Sequence, residues 1–91
     1  MSELREVTIR ISKAERELAL DCLLADAELE RVLGAGTEAG GRLKISLTLD
    51  RLDDLLGFIA AEANHCEDRK RQERLDRLYE RLAEVERAHP D

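Results

Sequence analysis

Glu62, His65 and Cys66 are the residues of this chain whose types and spacing come nearest to doing chemistry. On a helix they stand at i, i+3 and i+4 and share one face. Glu-x-x-His is half of the ligand pattern that holds a metal pair in di-iron four-helix bundles, so a dimer would have to supply the other half. His65 with Cys66 could instead begin a zinc site, but zinc takes three or four protein ligands and His89 is the one remaining imidazole. A plainer reading competes with both. Cys66 prolongs an apolar stripe, His65 packs beside Phe58 near a helix C-terminus, where positive charge is favoured, and Glu62 is solvated.

Nucleophilic catalysis has less support. Cys66 and His65 are sequence neighbours, and adjacent helical residues diverge. Cys22 falls on a core stripe, where a thiol behaves as a small hydrophobe. Asp53 and Asp54 stand at a helix start, where carboxylates serve the dipole. The glycines from Gly34 to Gly41 match neither the dinucleotide fingerprint nor the P-loop, and no helix begins directly after them. The expectation is a non-enzymatic domain with no cofactor.

The main electrostatic feature is Arg69-Lys70-Arg71 with Arg74, Arg77 and Arg81. Residues 69–81 carry six bases and three acids, whereas residues 50–68 carry six acids and one base. Such neighbours attract, within one chain or between two. Arg69, Arg71, Arg74, Leu75, Leu78 and Leu82 are therefore candidate interaction residues. The net charge of −6 disfavours nonspecific binding to nucleic acid or anionic membrane. Phe58 and Tyr79, the only aromatic residues, leave little ring surface for stacking single-stranded bases. Two cysteines make no disulfide framework, and the first ten residues lack the pattern of a signal peptide. The chain reads as cytoplasmic, with reduced thiols and no membrane span.

These residues need elements to position them. Val7, Ile9 and Ile11 alternate with polar residues, predicting a strand over 6–12. Ser12-Lys13-Ala14-Glu15 is a capping box opening a helix over 13–33. That helix rises roughly 30 Å against roughly 20 Å of strand, so its end near Leu29 and Leu33 overhangs the sheet and needs another cover. Residues 34–41 read as a Gly-rich loop. Leu43, Ile45 and Leu47 give a second strand over 42–47. Thr48 caps a helix over 49–65, with Leu47 and Leu52 placed as a hydrophobic staple. A third helix spans 69–88, with Leu75, Leu78, Leu82 and Val85 as a heptad-like seam, and Pro90 beyond it. A break near Asn64 to Asp68, with Asp68 as a cap, separates the last two helices.

Residues 47–82 resemble a stretch of the plasmid Ri open-reading-frame-three-like group, uncharacterised bacterial proteins. The matching residues are Leu47-Thr48-Leu49-Asp50, Ala60-Ala61-Glu62-Ala63-Asn64-His65, and Asp68 through Arg77 with Gln72 and Leu75-Asp76. The resemblance covers about two fifths of the chain. It implies a bacterial accessory domain and assigns no role to any residue.

The expected architecture is a small two-layer α/β domain of order β-α-β-α-α. A two-stranded sheet, parallel through a right-handed crossover, carries helices on one face, and the third helix packs as a hairpin on the second. A lone two-stranded sheet leaves open edges, which a homodimer would cover. The functional expectation is a protein–protein interaction or scaffold domain. A ribbon-helix-helix-like DNA-binding regulator, touching bases through Thr8, Arg10, Lys44 and Ser46, is the alternative. Metal binding through Glu62, His65 and Cys66 is a second.

Overall fold

The structure, a computed structural model, describes residues 5–23 and 26–88. Its elements run β1 (Glu6–Ile11), α1 (Lys13–Cys22), α2 (Ala27–Gly34), β2 (Thr37–Ala39), β3 (Arg42–Thr48), α3 (Leu49–His65) and α4 (Arg69–Arg87). The two-layer α/β plan is present, but the order and the sheet differ from expectation.

The helix expected over 13–33 is two helices. α1 ends with Leu23 in an extended conformation, and Asp26 caps α2 by accepting a hydrogen bond from the Leu29 amide at 3.1 Å. The break resolves the overhang. A straight helix would carry Leu29 and Leu33 past the sheet, whereas the turned α2 buries both completely. Leu24 and Ala25 of the expected helix lie outside the described residues, as do His89 and Pro90.

The Gly-rich loop is not all loop. Gly40 and Gly41 have φ of +60° and +80°, the left-handed pair that a tight two-residue hairpin requires. They fold Thr37–Ala39 back on β3 as a third strand. Gly36 lets this turn sit close, since a Cβ there would meet Ile45 Cγ1 at 2.7 Å. The sheet order is β1-β3-β2, with both pairings antiparallel. The parallel relation expected of the first strand and the 42–47 strand is thus overturned. β1 and β2 run the same way through the two-helix connection, and β3 inserts between them from the hairpin.

All four helices serve one sheet face. Val7, Ile9 and Ile11 of β1 and Leu43, Ile45 and Leu47 of β3 point inward and are buried. With Leu52, Leu55, Ile59, Leu75, Leu78 and their neighbours they form one aliphatic cluster that holds no buried polar residue. α3 and α4 form the expected hairpin. Thr48 caps α3 through the Arg51 amide at 3.2 Å, and Leu47 and Leu52 are both buried beneath that cap. Among the described residues, no helix is long and apolar enough to cross a membrane.

Candidate functional site

The polar seam between α3 and α4 is built from two helix ends. Cys66 closes α3 in an extended conformation, and Asp68 opens α4 by accepting from the amides of Lys70 at 3.0 Å and Arg71 at 3.3 Å. This cap aims the Arg71 side chain back at α3, where its Nη1 donates to Glu62 Oε2 at 2.7 Å and lies 3.9 Å from Cys66 Sγ. The hydrogen bond to Glu62, then the contact with Cys66, raise the Arg71 pKa above the ordinary arginine value. The Cys66 thiol donates to Asp68 O at 3.3 Å.

This arrangement does not gather the metal candidates. The guanidinium of Arg71 occupies the carboxylate that Glu62 would offer and lies against the Cys66 sulfur. His65 bends back along its own helix, its Nδ1–H donating to Ala61 O at 2.8 Å. Among the described residues, no three His, Cys, Asp or Glu side chains are grouped to hold a metal ion. Glu62 and Cys66 form a brace with Arg71, and His65 stays outside it. Cys22 is buried, donates to Leu18 O at 3.3 Å, and feels this brace through space. Burial first, then the Glu62 charge, push its pKa up to about 11, so at neutral pH it is a protonated core thiol.

The interaction candidates on α4 separate into two faces. Leu75, Leu78 and Leu82 are 0%, 1% and 2% exposed and pack within the chain's own core. These three leucines of the seam are therefore turned into the chain's own core. Arg69 and Arg74 are exposed, and Arg71 is half-buried in its pair with Glu62. Arg74, Arg77 and Arg81 line one wall of an open groove of about 620 Å³, with Ala14, Glu15 and Leu18 of α1 opposite.

One feature was not foreseen from the sequence. Glu15, the acid of the capping box, receives the Ser12 amide on one oxygen and Arg81 Nη1 on the other. Arg81 Nη2 also donates to Arg10 O at 3.2 Å, so α4 is clasped to the β1–α1 joint. The outer sheet face carries the four residues expected to point outward. Thr8 stands directly opposite Ser46 and Arg10 opposite Lys44, all exposed, with Arg42 nearby on β3. Composition hides this small basic face in an acidic chain.

No family model, curated protein or solved structure matches the chain.

Proposed function

We propose that this protein is a non-enzymatic interaction or scaffold domain that works as a homodimer, consistent with an accessory role in a bacterial cytoplasm. The observation that supports this most is the one-sided sheet. Helices cover its inner face, while the outer face meets no other layer among the described residues and the outer edge of β1, flanked by the end of α4, pairs with no strand. An unpaired antiparallel edge is a template for another strand. The exposed arginines of α4, including Arg69 and Arg74, add a charged rim. Sedimentation at tens of micromolar tests the reading. A dimer is the expected result, and a monomer counts against it.

One observation favours DNA binding as a second reading. Arg10 and Lys44 are like charges placed directly opposite each other, which costs stability until an anion joins them. With Thr8 and Ser46 beside them, they would offer cations and hydroxyls to a phosphate backbone or base edges. β1 is already paired with β3, so an inter-chain ribbon of the ribbon-helix-helix kind is not preformed. A gel shift that weakens steeply with salt would support this reading, and no shift at low salt would remove it.

A further inference from the structure

We propose that the twin copy docks along the outer edge of β1 in antiparallel register, with the two-fold axis at Thr8. The inference rests on the homodimer reading and names its surface.

The backbone decides which groups are available. Arg5 O accepts from Leu49 N at 3.0 Å, in the same register that pairs Val7 with Leu47 and Ile9 with Ile45. In an antiparallel ladder, alternate residues bond to the same neighbour. Val7, Ile9 and Ile11 therefore spend their amides and carbonyls on β3, and those of Glu6, Thr8 and Arg10 point to the outer edge. The Arg81 bond to Arg10 O fits this assignment, because it arrives from that side. A groove of about 340 Å³ runs along the edge, lined by Thr8 and Arg10 of β1 and by Arg81, Leu82, Glu84 and Val85 of α4.

The side chains choose the occupant. Glu6, Thr8 and Arg10 share the outer face, and neither Glu6 nor Arg10 has an ion-pair partner among the described residues. Read backwards, the strand is its own electrostatic complement. With the axis at Thr8, Glu6 of one copy faces Arg10 of the other, twice by symmetry. The twin's Glu6 also brings the missing negative charge to the Arg10–Lys44 pair. An axis at Glu6 or Arg10 sets like charges face to face, and an axis at Val7 or Ile9 leaves neither charge opposite its complement. The favoured register makes about six inter-chain backbone hydrogen bonds and joins two three-stranded sheets into one. Arg10 O has a second lone pair for the incoming amide, and Arg81 keeps Glu15 through its other nitrogen.

Charge swaps test this in sedimentation. Glu6→Arg alone and Arg10→Glu alone each weaken the dimer about tenfold, since two attractive cross-strand pairs become repulsive. The double swap restores opposite charges and recovers wild-type association. Thr8→Pro removes the central amide at an edge position that tolerates proline, giving a monomer with an unchanged far-ultraviolet circular dichroism spectrum. A wild-type dimer whose dissociation constant ignores all three swaps overturns this edge and leaves the homodimer standing. A wild-type monomer at tens of micromolar overturns both.

Discussion

The chain breaks its helices twice, and the two breaks share a local form. Leu23 ends α1 at φ −78° and ψ 126°, and Cys66 ends α3 at φ −83° and ψ 126°. In each case an aspartate then caps the next helix. Their surroundings differ. The α3–α4 break is polar and braced by the Glu62–Arg71 bridge, and it lets a helix of 19 residues fold back along one of 17. The α1–α2 break interrupts an apolar run, and it exists to bring an eight-residue helix down onto the sheet. One capped turn therefore serves two ends: pairing helices with each other, and fitting helix length to strand length.

Core truncation should separate the two most strongly. Leu29 of α2 and Leu75 of α4 are both 0% exposed, so changing either to Ala should cost about 2–5 kcal/mol in urea unfolding. α2 is short and hangs on Leu29 and Leu33, so Leu29→Ala should also speed hydrogen exchange selectively over residues 27–34. Uniform acceleration throughout the molecule would show that α2 is no weaker a unit than the α3–α4 hairpin.

Glycine substitution comes next and should change sign between the regions. Gly36→Ala, below α2, drives a Cβ against Ile45, which is 1% exposed, and should cost about 1–3 kcal/mol. Gly57→Ala, in the middle of α3, meets nothing within 4 Å and should stabilise by about 0.5–1 kcal/mol. Equal signs in thermal melts would refute the packing argument at one of the two positions.

The caps themselves are worth about 1 kcal/mol each. Asp68→Ala should cost more than Asp26→Ala, because Asp68 serves two amides and Asp26 one. The reverse order in chemical denaturation would mean that the α2 cap carries tertiary load.

The smallest effect lies at the far end of the hairpin. Burial, then Asp53, hold the Glu86 pKa above the ordinary glutamate value. Because the folded-state pKa is raised, the stability Glu86 contributes is fully present below the unfolded value. It is lost as pH rises through the folded one. Glu86→Gln should therefore gain a few tenths of a kcal/mol near pH 7 and lose that advantage in acid. A gain independent of pH would point away from the Asp53 repulsion.

The difference between the breaks also decided what could be read in advance. Asn64 to Asp68 is visibly polar, so the second break and its Asp68 cap were legible. Cys22-Leu23-Leu24-Ala25 continues an apolar stripe, and Asp26 alone marks the first. The mismatch of helix and strand lengths was visible, but its solution by bending was not. β2 was missed because a strand exposed at every residue carries no alternation, although Gly40-Gly41 is a hairpin signal. Leu75, Leu78 and Leu82 were correctly spaced as a stripe, but spacing does not tell which surface the stripe meets. Among the site contacts, caps span three residues and are local. Glu62–Arg71 spans nine positions and Glu15–Arg81 sixty-six, and no local pattern predicts either.

The Glu15–Arg81 contact bears on synthesis. The carboxylate fastening the start of the first helix waits for an arginine in the final one. While the ribosome is still making α4, Glu15 and Arg10 lack the clasp that Arg81 supplies. The β1–α1 joint is thus fastened later than the sheet it belongs to.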